Sequence, residues 1–510
     1  MLKSIFSGFH ERYSLARAQT GFPVVIVLTA KIPCKAEIDT LRSHLESRID
    51  QLLHIYPALS VSVIDDRSRQ PSFIRKAGPA LTHADILTTA QDIPNDFIDG
   101  GDDAVLSRIL SHEHKRCSAK GNLLKIQGPM WRVVIRWQPG LAHCWLSLSV
   151  NHIIIDGKGA ANLMEVLLMK DVSKTIPTKP LKALPPTSNE VFDMNPPYRH
   201  VVPIFFQELI VPLLPAFIRN RVQAKAHWPS NKPIAISPNT AEHMIDLITF
   251  DINTVIKLKN TATARGIKTV TPLLQLAAFI AASTLTEEGQ SISTSTPINI
   301  RPQAGLDATF CTGNYVSLAP WSATASPSLA IWPITREYAK ALVDPNTIKN
   351  GCWTFGMLAY IPDAMRDPPP SKQVESDAAI KDDDKTPTSW QHFFETKMNS
   401  QTPYTTSFGI SNLGIIKTDM QVERLAWAQT AIPVGAAFII DVCGFKWVDE
   451  DPTGATISGG LSISVGSRKG TVADGKVFAT RIKRAIDVLA NADLVPENMT
   501  LEGIIKLMSI

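Results

Sequence analysis

Between Asp171 and Pro203 the chain loses its periodicity. Lys-Pro, Pro-Pro and Asn-Pro-Pro steps follow one another there. Each proline removes a backbone donor and drives the residue before it out of the helical region. Such a stretch is a long crossover, not a packed element. On both sides of it, strand-like and helix-like segments alternate. The 510 residues therefore divide into an N-terminal lobe at 1–170, a linker with an apolar helical segment at 171–235, and a C-terminal lobe at 236–510. Two rounds of alternation predict a mixed α/β chain of two similar lobes.

In the first lobe, Gly21–Ile32 reads as an apolar strand. Ile38, Leu41, Leu45, Ile49, Leu52 and Leu53 then share one face of a helix. Val61 and Val63 alternate with serines in a β-type run over Leu59–Ile64. Trp131–Trp137 and His143–Val150 form a hairpin through Gln138-Pro139-Gly140, and a helix follows over about Lys158 to Lys170. After the crossover, Ile204–Ile218 is apolar and broken by Pro212 and Pro215. It lacks a cationic polar face, so it reads as a buried or channel-lining helix in preference to one resting on a membrane. In the second lobe a strand at Ile245–Ile252 leads to a helix at Asn253–Arg265. The helix that opens at Thr271-Pro272 is apolar almost all round and should be central. A β-type run covers Ser291–Ile300. Arg366–Pro387 reads as a solvated loop. Strands are expected at Thr405–Ile410, Ala436–Val442 and Ala455–Val465, with a final helix over Val472–Leu489.

Composition removes several classes of function. With 44% hydrophobic and 19% charged residues, the chain has ample material for large cores. A net charge of only +4 over this length offers no basic face for nucleic acid. The six cysteines form no CxxC pair and no dense framework, which fits a reducing compartment and predicts no metal site. The N-terminus has no secretory apolar stretch, and no apolar run is long enough to cross a bilayer, so the expected address is cytoplasmic. No P-loop or GxGxxG follows a strand. Gly409–Gly414 has the wrong spacing for a serine hydrolase elbow. His112-Glu113-His114 would point apart on a helix with no third ligand nearby, and reads as an exposed polar patch. Gly459-Gly460-Leu461-Ser462 lies in a strand-like alternation, not at a carrier attachment site.

The sharpest feature is Asn151-His152-Ile153-Ile154-Ile155-Asp156-Gly157-Lys158-Gly159. A histidine closes a half-buried strand, and an acid and two glycines follow. A near-neutral imidazole is the usual general base for a hydroxyl or amine. The glycines let backbone approach a ligand. Taken alone, His152 reads first as a satisfied core histidine, and Asp156 first as the N-cap of the helix that follows.

The order of several motifs resembles the acyltransferase superfamily of chloramphenicol acetyltransferase, plant BAHD enzymes and peptide-synthetase condensation domains. Within it, the fungal alcohol O-acetyltransferase family is the nearest likeness. The motifs are Glu11-Arg12-Tyr13, Tyr56–Val61, Pro129–Arg132, His152–Gly157, Thr271–Leu274, Pro297–Arg301, Gly313-Asn314-Tyr315 and Ser411–Gly414. Two departures stand out. Asn151 occupies a position where many relatives carry a second histidine, and the plant-type DFGWG segment is absent.

The resemblance implies two chloramphenicol acetyltransferase-like lobes, each a mixed sheet flanked by helices, with an active-site tunnel between them. It implies His152 as general base, next to Gly157, with Asp156 turned away to pair with Arg301. Ser411 and Asn412 would line the tunnel as oxyanion donors, or else form a turn between two strands. Lys268 and Arg468-Lys469 read as ordinary surface cations. The expected activity is transfer of acetyl from acetyl-CoA, or another acyl-CoA, to a hydroxyl of a small apolar acceptor. No permanently bound cofactor and no partner chain are expected, so the enzyme would act as a monomer. Transfer to an amine, and a non-catalytic binder on the same scaffold, are the alternatives.

Overall fold

The computed structural model describes residues 5–508 except 7, 35–37, 76–79, 91–100, 118–123, 139, 174, 223–226, 230–232, 307–311, 362–366, 369–385 and 450–455. The expected loop at Arg366–Pro387 falls mostly outside the described residues, as does Pro139 of the hairpin turn.

Two mixed sheets form the frame. The first has five strands in the order Arg424–Gln429, Val25–Pro33, His143–Asn151, Trp131–Arg136, Leu87–Ala90. Only its last pair is parallel. Val25–Pro33 is apolar on both faces because both are covered. Ile26, Leu28 and Ala30 pack with Leu45, Ile49 and Leu52 of the helix Ile38–Ile55. Val25 and Val27 turn the other way, onto Leu110 of the helix Asp102–Cys117 and Ile245 of the second lobe. The period of two thus decides which residue joins which core.

The second sheet has six strands, ordered Val316–Thr324, Ser291–Asn299, Tyr404–Thr418, Gly435–Asp449, Thr456–Arg468, His243–Asp251. Tyr404–Thr418 runs parallel to both of its neighbours. The helix Thr271–Ser283 is buried continuously from Pro272 to Ala282, as its all-round apolarity predicts. The described chain is a mixed α/β protein of two lobes, each a mixed sheet flanked by helices.

Several expectations are corrected. The strand Arg424–Gln429 leaves the second half of the chain and pairs antiparallel with Val25–Pro33 in the first sheet. The cut at residue 236 therefore does not separate the lobes in space. The apolar stretch after the crossover is not buried. It breaks into the helix Tyr198–Phe205, a π-type turn at Phe206–Ile210, a 3-10 turn at Val211–Leu213 and the helix Ala216–Val222. Leu213 is 80% exposed and Phe217 70%. Apolarity alone does not supply a covering element, which is why it misleads here. His112-Glu113-His114 is not an exposed patch either. Glu113 and His114 are buried, Glu113 pairs with Arg136 and Arg116, and His114 Nε2 faces the Ala428 carbonyl. Among the described residues, no helix is long and apolar enough to cross a membrane.

Candidate functional site

His152 follows directly on the strand His143–Asn151, and its backbone N–H donates to the Val24 carbonyl at 2.9 Å. The Asn151 side chain shapes the turn that follows, its Oδ1 accepting from Ile153 N at 3.1 Å. This is a local Asx arrangement. It gives a conformational role to the position where relatives carry a histidine.

Four residues on, Asp156 caps the helix Gly157–Leu168, Oδ1 accepting from Gly159 N at 2.9 Å. Its other oxygen accepts from Arg301 Nη1 at 2.8 Å and from Tyr315 N at 2.9 Å. Capping and charge pairing thus occupy separate oxygens of one carboxylate. Burial pushes the Asp156 carboxyl upward, but Arg301 and the three hydrogen bonds prevail and hold it below its ordinary value. Asp156 is therefore ionised, and it holds the two halves of the chain together.

Gly313 makes this junction possible. Its φ of +90° lies where L side chains are strained. In that conformation its N–H donates to the Ile154 carbonyl, and its own carbonyl accepts from Asp156 N and from Arg301 Nη2 at 3.1 Å. The next residue then reaches His152. His152 Nδ1 and Asn314 Oδ1 are 3.0 Å apart. The Asn314 amide nitrogen faces two acceptors, Glu11 Oε1 and the Ile153 carbonyl, both at 3.2 Å. Its carbonyl oxygen must therefore face His152, so Nδ1 carries the proton and Nε2 keeps the lone pair. Nε2 has no hydrogen-bond partner among the described residues. Burial, and then the positive charge of Arg17, depress the His152 pKa, so the imidazole is neutral near pH 7.

This ring borders a cavity of about 330 Å³. The helix Phe9–Gln19 contributes His10, Tyr13, Ser14 and Arg17 to its wall. Gly157 and Ser411 line it too, with Trp427 on the crossover strand. A Cβ on Gly157 would sit 2.9 Å from Leu413 Cδ2 and crowd Trp427. His10 is held between the Ser188 hydroxyl and the Val316 carbonyl, and burial lowers its pKa to about 4. Glu11 is buried behind Asn314, and desolvation raises its carboxyl to about 7.

The structure thus brings together His152, Asp156, Gly157, Arg301 and Ser411. It does not bring Asn412 into the cavity. Ser411 and Asn412 lie within the single strand Tyr404–Thr418 and form no turn between two strands, although the pairing with Gly435–Asp449 shifts register after Asn412. Neighbours on a strand point to opposite faces. The Asn412 amide donates to Thr271 Oγ1 at 3.0 Å, and its carbonyl accepts from Gly414 N. Arg468 is not a surface cation either. It is buried and donates to the Ala431 and Ala241 carbonyls. Asn314, Glu11 and Arg17 received no role from the sequence. Two of them stand inside the quoted motifs, but their meaning depends on what meets them.

No protein-family model matches the sequence, and no curated protein matches it. Solved structures do resemble it in shape. Polyketide synthase associated protein 5 from Mycobacterium tuberculosis superposes with a TM-score of 0.53 at 11% identity, over 95% of this chain and 99% of that one. The condensation domain of the Monacolin K polyketide synthase MokA gives 0.55 at 8% identity, over 96% and 97%. The starter condensation domain of rhizomide synthetase RzmA, solved in mutant form with C8-CoA and Leu-SNAC, gives 0.51 at 11%, over 98% and 96%. Across nearly its whole length, the chain shares the two-lobed mixed α/β fold of these condensation domains.

Proposed function

We propose that this protein is an acyl-CoA-dependent O-acyltransferase of the fungal alcohol O-acetyltransferase type, with His152 as its general base. One observation carries the reading. The tautomer of His152 is locked by Asn314, which leaves a neutral Nε2, without a hydrogen-bond partner among the described residues, at the wall of a cavity between the lobes. Asp156 is committed to Arg301 and is no proton carrier.

In the proposed reaction the acceptor hydroxyl gives its proton to His152 Nε2 as its oxygen attacks the thioester carbonyl carbon. The carbonyl π electrons move onto oxygen, forming a tetrahedral oxyanion. Ser411, whose side chain has no hydrogen-bond partner among the described residues, is the hydroxyl we assign to that oxyanion among those lining the cavity wall. A donor so placed is typically worth about 2.7–4 kcal/mol. The oxyanion then collapses, the carbon–sulfur bond breaks, and CoA thiolate recovers the proton from the imidazolium. The products are an ester and free CoA. Acetyl-CoA is the expected donor, and a small alcohol or hydroxylated secondary metabolite the acceptor.

The test is incubation with acetyl-CoA and a panel of hydroxylated metabolites, followed by mass measurement. The expected result is an added acetyl group on an acceptor, with one free CoA per ester formed. CoA release at the same rate without any acceptor would make the protein a hydrolase and sink the proposal.

A further inference from the structure

Arg17 lies on the helix Phe9–Gln19, borders the same cavity as His152, and is only 7% exposed. Its guanidinium carbon stands 3.9 Å from the centroid of the Tyr13 ring. Its Nη2 meets the Ser14 hydroxyl at 3.5 Å, and its Nε has no partner. No carboxylate pairs with it among the described residues, and the cavity lining contains no Asp or Glu. Among the described residues, the cavity wall therefore carries the Arg17 guanidinium with no carboxylate beside it, the nearby Asp156 being paired with Arg301.

Leaving a buried charge unpaired is destabilising. An aromatic face recovers only part of that loss. A planar fork of donors matches a carboxylate.

We infer that Arg17 is the receptor for a carboxylate carried by the substrate that fills this cavity. The inference deepens the acyl-transfer reading and rests on it for the identity of the cavity as the substrate site. The carboxylate has two chemical sources. It belongs either to the acceptor, making that a hydroxy acid, or to the acyl group of the donor, making that a dicarboxylic monothioester.

Calorimetric binding to the whole protein separates these sources without requiring turnover. The acceptor arm compares 10-hydroxydecanoate with its methyl ester, and the donor arm compares malonyl-CoA with acetyl-CoA. In one arm, the carboxylate probe is expected to bind roughly 10- to 100-fold more tightly than its neutral partner. Arg17→Met should abolish that preference, Arg17→Lys should retain part of it, and His152→Ala should leave it intact. Free R17M should melt at or above the wild-type temperature, because the substitution removes an uncompensated buried charge.

The inference is overturned if neither carboxylate probe is preferred, or if the preference survives in R17M. It is also overturned if R17M melts well below wild type, which would assign Arg17 to the scaffold. A carboxylate preference without acyl transfer to any acceptor would instead defeat the role given to His152. Transfer without a carboxylate preference would defeat only the role given to Arg17.

Discussion

Arg301 and Arg17 are both buried where the lobes meet, and their surroundings are opposite. Arg301 is 2% exposed, with its guanidinium nitrogens engaged by Asp156, Asn299 and the Gly313 carbonyl. Arg17 has an aromatic face, one long contact to a hydroxyl and a bare Nε. A buried charge whose donors are spent on the protein belongs to the scaffold. One whose donors are left open toward a cavity is a place for something else to bind. Sequence position does not separate the two, since only Arg301 sits in a motif that points to its partner.

The sharpest way to break this contrast is Arg301→Met. It leaves the Asp156 carboxylate buried without its cation, and such losses are about 3–5 kcal/mol. Urea unfolding should show that loss, and an unchanged midpoint would remove the pair from the scaffold. Next in size is Asn314→Ala, which frees the His152 tautomer without touching the cavity's charge. Turnover should fall by up to about 100-fold, within the span attributed to a positioned base, while the KM for acetyl-CoA stays constant. Asn314→Asp should also move the acidic limb of the pH–rate profile upward, because a facing carboxylate favours the imidazolium. A residue that served the fold alone would not shift that limb.

Besides its effect on carboxylate binding, Arg17→Met has a smaller effect on His152 through the loss of its charge. Wild-type His152 is depressed first by burial and second by Arg17. Removing that charge should move the acidic limb toward higher pH. The stability that the depressed His152 contributes is full above its unfolded pKa of about 6.5 and is lost as pH falls through the folded value. R17M should narrow that window. A pH profile identical to wild type would show that the two groups do not interact. Asn412→Ala should do least. It forfeits two hydrogen bonds, to Thr271 and from Gly414 N, about 1 kcal/mol of stability each, and should leave turnover unchanged. A tenfold loss of rate would return Asn412 to the site.

The same contrast explains what could be read in advance. His152 and Asp156 were legible once the ordered motifs were set together, because the five residues His152–Asp156 carry base and helix cap directly after a strand end. The central helix Thr271–Ser283 was legible because Gln275 is the one polar residue between Pro272 and Ala282. Asn314 acts on His152 across 162 residues and on Glu11 across 303, and no local pattern encodes such a meeting. The six residues Arg424–Gln429 are a short apolar run between polar ends, and nothing in them names the sheet they join. Leu213 and Phe217 were misread because hydrophobicity states a preference, while burial needs a second surface. Arg17 was invisible for a further reason: its significance is the lack of a partner, which is a property of three-dimensional space.

One measurement bears most directly on the account: a single-turnover reaction of wild type and His152→Ala with acetyl-CoA and an acceptor alcohol, quantifying ester and free CoA together. The account predicts equal amounts of both products from wild type and none above background from H152A, with H152A still melting as a folded protein. Equal ester formation by H152A would contradict it.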